Sequence, residues 1–324
     1  MPKAIVVHEV GGPEQLSWED VSKPAPGPGE VLLRHTAIGL NFIDCYFRTG
    51  LYRAPVLPFI PGQEAAGVVE ELGDGVTDVK VGDRVAYAPI QGAYTEVRVV
   101  PAARLVPLPA DVDDRTAAAI MLKGMTAQYL LLRCAKVKAG DVVLIHAAAG
   151  GVGNIACQWA RHLGVEVIGT VSSAEKARLA FDRGCTHVIN YEKENFVHRV
   201  KEITRDEGVS AVFDSVGKVT FRASLFCLRP RGLMVSFGQS SGPVPPFEVT
   251  TLSTQGSLFL TRPMLATYIA TRTELLETAG NLFDVVRSGA VKIDIGQTHA
   301  LREAAQAHRD LEARKTTGST VLLP

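Results

Sequence analysis

Over residues 1–122, short apolar runs are broken at close intervals by glycine and proline. Residues 4–7 precede Gly11-Gly12-Pro13, and residues 31–33 follow Gly27-Pro28-Gly29. Further runs stand at Gly67-Val68-Val69 and at 84–87. Runs this short, with turn residues between them, predict a β-rich unit, a small barrel or sandwich. Near Lys123 the pattern changes, and strands and helices alternate with the rhythm of a parallel sheet. Residues 142–145 are wholly apolar, as a strand covered on both faces requires. Val152, Ile155, Ala156, Trp159 and Leu163 then recur at helical spacing and mark one buried stripe. Gly164 ends that helix, and strands are expected at 165–171, 187–190, 211–213, 232–237 and 257–260, with a helix over 174–183. The fold class is therefore α/β. A β-rich domain is expected over 1–122 and a doubly wound parallel-sheet domain over 123–262. Residues 263–324 are expected to return to the first domain, because the alternation has already closed.

A chain of 324 residues exceeds the usual size of one core, which agrees with two domains. Lys+Arg and Asp+Glu both number 34, and no basic half stands out, so an electrostatic nucleic-acid footprint is disfavoured. No apolar run approaches the ~18 residues of a membrane-spanning helix. The first residues read as a strand rather than as a signal peptide. Cys45, Cys134, Cys157, Cys185 and Cys227 are scattered and contain no C-x-x-C, which suggests neither a disulfide framework nor a cysteine-rich zinc site. A reducing cytoplasm is the expected compartment.

The most informative stretch is Val143-Leu144-Ile145-His146-Ala147-Ala148-Ala149-Gly150-Gly151-Val152-Gly153. A buried strand ends, a turn of small residues follows, and a helix opens. Ala148-x-Gly150-x-x-Gly153 has the spacing of a dinucleotide fingerprint, with alanine in the first glycine position. The small residues allow the tight turn, and Gly150 and Gly151 let the backbone approach a pyrophosphate. Gly153 lets helix and strand pack closely, and the helix N-terminus supplies N–H groups to the phosphates. A turn kept only for packing is the alternative. An NAD site places Asp or Glu about 20 residues further on. Here the second strand ends in Ser172-Ser173-Ala174-Glu175-Lys176, with no carboxylate at its terminus. Hydroxyls and Lys176 favour a 2′-phosphate, hence NADPH. Ser172-x-x-Glu175 also reads as a capping box, with Lys176 a solvated helix residue.

Metal-dependent dehydrogenases need Cys and His at ligand spacing, and none of the eight histidines has such a partner. Zinc alcohol dehydrogenases carry G-H-E-x-x-G, whose histidine binds the metal. Pro61-Gly62-Gln63-Glu64-Ala65-Ala66-Gly67 places Gln63 there, and an amide is a poor zinc ligand. Glu64 is expected to serve structure, and no metal is expected. Without one the acceptor must take hydride readily by itself, as quinones and activated alkenes do.

Together these motifs resemble the zinc-independent quinone oxidoreductase/zeta-crystallin family of the medium-chain dehydrogenases and reductases. The most specific pieces are the glycine turn, residues 39–46, Gly50-Leu51-Tyr52, Phe213-Asp214-Ser215-Val216-Gly217, and residues 233–242. The resemblance implies a GroES-like catalytic domain, a Rossmann domain, and a cytoplasmic enzyme that reduces quinones with NADPH in a metal-free cleft. It implies that Asn41, Tyr46 and Tyr52 line the nicotinamide and quinone end and orient the carbonyls. Thr126 and Tyr129 join the cofactor site, Gly150, Gly151, Val152 and Gly153 hold the pyrophosphate, and Ser172, Ser173, Lys176 and Tyr191 hold the adenosine phosphate. Gly217, Phe237, Gly238, Ser240 and Ser241 follow the cofactor's far side, with Arg262 and Arg314 as further carry-overs. A homodimer formed through the Rossmann edge near 257–260 is also implied. Tyr46 and Tyr52 are alternatively packing aromatics, and Tyr191 alternatively caps a loop. Cys45 reads as a buried filler rather than a nucleophile, since no histidine stands near it in sequence. The rival functions are an enone or alkenal reductase with the same fold and cofactor, and a crystallin-like or RNA-binding protein.

Overall fold

The apolar run Val142–Ile145 forms an inner strand of a six-stranded sheet in a computed structural model that describes residues 1–54 and 56–324. The strands run in the spatial order His187–Asn190, Glu166–Val171, Val142–Ile145, Val209–Asp214, Leu228–Ser236 and Phe259–Thr261, every neighbouring pair parallel. This is the doubly wound order, and the strand order reverses between Val142–Ile145 and Val209–Asp214. Ligands of such sheets bind outside the strands' C-terminal ends at that reversal. Val143, Leu144, Val212 and Met234 are fully buried, which is why the inner positions of the central strands are apolar.

The helix Gly151–His162 buries Ile155, Ala156 and Trp159, and Gly164 reverses the chain at φ 76°. The helix Ala174–Asp182 starts at the expected residue but is capped one residue later than the Ser172 capping-box pattern predicts. Its N-cap is Ser173, whose hydroxyl accepts from the Lys176 N–H at 3.2 Å. Ser173 is the extended residue before the helix (φ −149°), while Ser172 belongs to the turn that leaves the strand.

Contacts divide the chain into two units: Met1–Met125 with Ile269–Arg287 and Ile293–Pro324, and Thr126–Tyr268 with Ser288–Lys292. The first unit contains a seven-stranded sheet in the order Ile295–Ala300, Ser319–Leu323, Glu30–Leu40, Glu64–Leu72, Arg84–Tyr87 and Val106–Pro107, with Val97–Pro101 also pairing Glu30–Leu40. Ile5, Val31, Leu33, Ile38, Val85 and Leu105 lie at the centre of its core. The long strand Glu30–Leu40 runs straight into the helix Phe42–Arg48, which carries the residues of interest. No helix among the described residues is long and apolar enough to cross a membrane.

Candidate functional site

In the second unit, the turn after Val142–Ile145 presents an open helix N-terminus. Gly150 is the N-cap of Gly151–His162 and has no side-chain cap. Its own N–H bonds Ala147 O, and the first helical bond to reach back is Asn154 N–H to Gly150 O at 2.8 Å. Gly151, Val152 and Gly153 therefore turn N–H groups outward with no partner inside the helix. That is a fitting cradle for a pyrophosphate. The left-handed residue of the turn is Ala147 (φ 53°), while Gly150 is extended (φ −81°). A Cβ on Gly153 would lie 2.3 Å from Ala147 O and 2.9 Å from Ala148 Cα, so close packing is what demands glycine there.

His146, which opens the turn, is buried and ties three elements together. Its Nδ1 lies 2.8 Å from Thr170 Oγ1 and its Nε2 2.8 Å from Ser224 Oγ. Burial pushes its pKa below the usual histidine value, so the ring is a neutral brace.

Ser172, Ser173, Lys176 and Tyr191 meet at one corner. Asn190 pairs with Val171, and the Tyr191 N–H bonds Val171 O at 3.1 Å, so the ends of two neighbouring strands bring the four residues together. Across the sheet reversal, buried Asp214 gathers the loop that follows it. Its Oδ1 accepts from Val216 N–H at 2.7 Å and Gly217 N–H at 3.0 Å, and Thr220 Oγ1 donates to it at 2.9 Å. Phe237 and Gly238 N–H groups bond Asp214 O. Ser241 Oγ donates to Val216 O at 2.7 Å and accepts from Val219 N–H, so this hydroxyl braces the loop. Ser240 is held by its N–H to Ser215 O. Arg262 donates to Ser236 O at 3.0 Å and Gly238 O at 2.9 Å. Thr126 is buried, and Tyr129 opens a π-helical turn, Tyr129–Cys134, that continues the helix Asp114–Gln128. The Tyr129 ring stacks on Tyr268 at 4.5 Å. No local pattern in the sequence signals Tyr268, which lies far along the chain from Tyr129.

In the first unit, Asn41 caps the helix Phe42–Arg48, and Tyr46 lies one turn along it. The Tyr52 N–H bonds Tyr46 O at 2.9 Å and the two rings meet edge-on at 5.1 Å, so these three residues do cluster. Arg314 lies in the same unit, exposed, at the end of the helix Ala304–Glu312. Asn41 Nδ2 donates to Glu64 Oε1 at 2.7 Å. Only the amide nitrogen can donate to a carboxylate, which fixes the amide's orientation. Nδ2 is thereby committed as a donor, and Oδ1 is the acceptor end of the Asn41 amide. Glu64 is fully buried and also accepts from Lys123 Nζ at 2.8 Å and from the Leu122 N–H. A Cβ on Gly39 would stand 2.3 Å from Glu64 Oε1, so Gly39 makes room for the carboxylate.

Cys45 is buried, but a histidine does adjoin it: His308 Nδ1 lies 3.4 Å from its Sγ. Burial pushes the thiol up and holds His308 near 3, so neither ionises near neutrality and the pair does not activate a nucleophile. Asp44 was also missed, although Asn41-x-x-Asp44 has capping-box spacing. Gln63 Nε2 donates to Gln91 Oε1, and Gln91 in turn donates to Ile60 O at 3.0 Å. Among the described residues, no three His, Cys, Asp or Glu side chains are grouped to hold a metal ion.

Residues 27–110 match the family model described as alcohol dehydrogenase GroES-like domain, and residues 151–277 match the one described as zinc-binding dehydrogenase. The chain is 53% identical over 326 residues to a quinone oxidoreductase of Pseudomonas aeruginosa, with 100% of both chains covered. It is 51% identical to a 2-haloacrylate reductase of a Burkholderia species, covering 100% of this chain and 99% of that one. The Escherichia coli quinone oxidoreductase solved in complex with NADPH superposes with a TM-score of 0.98 at 47% identity, covering 99% of this chain and 100% of that one. With Gln63 in the place of the zinc-binding histidine, and this likeness running the length of the chain, the protein belongs to the zinc-independent quinone oxidoreductase family of the medium-chain dehydrogenases and reductases.

Proposed function

We propose that this protein reduces quinones with NADPH. The observation that carries the reading is the uncapped glycine turn Gly150–Gly153 at the reversal of a doubly wound sheet, in a chain half identical to quinone oxidoreductases. NADPH, when bound, supplies the hydride. The chain's part is binding and orientation. N–H groups of the first turn of Gly151–His162 take the pyrophosphate, and Ser172, Ser173, Lys176 and Tyr191 take the adenosine phosphate. Asn41 Oδ1 accepts a hydrogen bond at the nicotinamide end. The hydroxyls of Tyr46 and Tyr52 donate to the acceptor's oxygens as charge develops there. No residue is assigned as a dedicated base.

A cytoplasmic homodimer is part of the same proposal. Phe259–Thr261 pairs with one strand only, leaving its outer edge open, and Phe259 is 61% exposed there. An open apolar edge invites a second copy to continue the sheet. Reduction of an activated carbon–carbon double bond is the second reading, favoured by the likeness to the 2-haloacrylate reductase.

Initial rates of NADPH oxidation with 1,4-benzoquinone, 9,10-phenanthrenequinone, a 2-alkenal and 2-chloroacrylate, with EDTA present and NADH in parallel, separate these readings. Fast, chelator-insensitive turnover of quinones with NADPH supports the first. Turnover of the alkenes alone moves the activity to the second. Lys176→Ala is expected to weaken NADPH binding by about 10- to 30-fold, roughly 1.5–2 kcal/mol for one lost charged contact to phosphate, and to leave NADH nearly unchanged. Equal losses for the two cofactors, read by fluorescence titration, would remove Lys176 from the phosphate site.

A further inference from the structure

Behind Asn41 runs a string of buried hydrogen bonds that the proposed reaction does not use. Asp44 Oδ2 accepts from the Asn41 main-chain N–H at 2.9 Å and from the Tyr94 hydroxyl at 3.0 Å. Tyr94 Oη lies 3.1 Å from His308 Nε2, and His308 Nδ1 lies 3.4 Å from Cys45 Sγ. Asp44, Tyr94 and His308 are fully buried, and Cys45 is nearly so.

The direction of the protons follows by elimination. An ionised Asp44 only accepts, so Tyr94 spends its one hydrogen on Asp44. His308 must then carry its hydrogen on Nε2 and give it to Tyr94, which leaves Nδ1 to receive the Cys45 S–H. Every donor points toward one carboxylate. His308 cannot charge near neutrality and burial keeps Cys45 and Tyr94 protonated, so Asp44 is the one member of the string that can change state there. Burial raises its pKa to about 7 against the hydrogen bonds from the Asn41 N–H and Tyr94, which lower it, with smaller contributions from Glu64 upward and Lys123 downward. One turn along the helix, Arg48 is committed to Glu312. Asp44 Oδ1 has no hydrogen-bond partner, so a proton can settle there without displacing an existing bond.

We propose that Asp44 is a positioning residue for Asn41 and Tyr46, holding the start of the helix Phe42–Arg48 in register while its carboxylate, ordered by Tyr94 and His308, is ionised. The inference rests on the proposed place of Asn41 and Tyr46 at the reacting end. When Asp44 is neutral, its grip on the Asn41 N–H weakens and Asn41 drifts from the orientation that Glu64 gives its side chain.

The test has one arm that needs turnover and one that does not. In the first, kcat/KM for benzoquinone is followed with pH. The wild type should fall up to tenfold per unit below a midpoint near pH 7. Asp44→Asn keeps an acceptor oxygen but cannot titrate, and should lack that fall. Tyr94→Phe removes the donor that favours the carboxylate, and should move the midpoint upward. In the second arm, asparagine-selective 15N labelling follows the Asn41 side-chain amide. Its shift should titrate with the same midpoint in the wild type, stay flat in Asp44→Asn, and titrate at higher pH in Tyr94→Phe. If Asp44→Asn does not fold, Tyr94→Phe decides the matter alone. An Asn41 signal that ignores pH in the wild type, or a midpoint that Tyr94→Phe leaves in place, overturns the proposal. Absence of quinone turnover with a titrating Asn41 signal instead sinks the quinone reading and keeps the positioning role.

Discussion

Glu64→Ala is expected to destabilise the protein by roughly 3–5 kcal/mol, because it strands a buried lysine charge. Lys123 Nζ lies 2.8 Å from Glu64 Oε1, and the lysine side chain is only 7% exposed, so water cannot replace the lost carboxylate. The same change frees the Asn41 amide and the Leu122 N–H, both of which donate to Glu64. Glu64→Gln should cost less, about 1–3 kcal/mol, since the amide keeps one acceptor but sets its NH2 against donors already in place. A merely structural carboxylate and one that also holds Asn41 are separated by Glu64→Leu combined with Lys123→Met. Replacing both members of a buried ion pair by apolar groups is often neutral for stability. The double variant no longer strands a charge but still leaves the Asn41 amide and the Leu122 N–H without their acceptor, so it should regain most of the stability lost in Glu64→Ala while its quinone turnover stays low. Recovery of turnover along with stability would show that Asn41 does not depend on Glu64.

Asp44 has a separate, pH-dependent effect on stability. Its pKa is raised in the fold, so folding is favoured while the group is protonated in both states, and that contribution is lost as pH rises from its unfolded value toward 7. Asp44→Asn should accordingly gain stability over the wild type between pH 5 and pH 8, which thermal unfolding at several pH values would show. An unchanged difference across that range would mean that Asp44 does not titrate in the folded chain.

Legibility of this molecule divides by how local each interaction is. The strand Val142–Ile145, the glycine turn and the helix behind it are visible because burial on both sheet faces and close helix packing write themselves into adjacent residues. The next helix starts at Ala174 as its sequence indicates, but its cap is Ser173 rather than Ser172, because both serines are competent caps and only the backbone decides between them. The Cys45–His308 contact spans 263 positions, and no periodicity reports a meeting at that separation. The direction of the Asn41 amide was hidden for a related reason. It depends on Glu64, whose strand lies beside Glu30–Leu40 only once the sheet has formed. The π-helical turn Tyr129–Cys134 was invisible because one extra residue in a turn leaves an apolar stretch apolar.

Gly153→Ala should cost about 1–3 kcal/mol in stability and weaken NADPH at least tenfold. The added methyl would lie 2.3 Å from Ala147 O and 2.9 Å from Ala148 Cα. Neither atom belongs to a flexible side chain, so the helix must move away from the turn. The turn has little slack, since Ala147 is already left-handed at φ 53° and His146 is anchored at both ring nitrogens. Displacement of the first turn carries the N–H groups of Gly151 and Val152 with it, and these are the donors assigned to the pyrophosphate. The loss should therefore fall equally on NADPH and NADH, unlike that of Lys176→Ala, because the pyrophosphate is common to both. Gly150→Ala serves as the comparison, since a Cβ there would come no nearer than 3.2 Å to Ala147 O. Isothermal titration with both cofactors reads the outcome. Selective loss of NADPH would place the 2′-phosphate, rather than the pyrophosphate, at this helix, and undiminished binding of both would remove the cofactor from the turn.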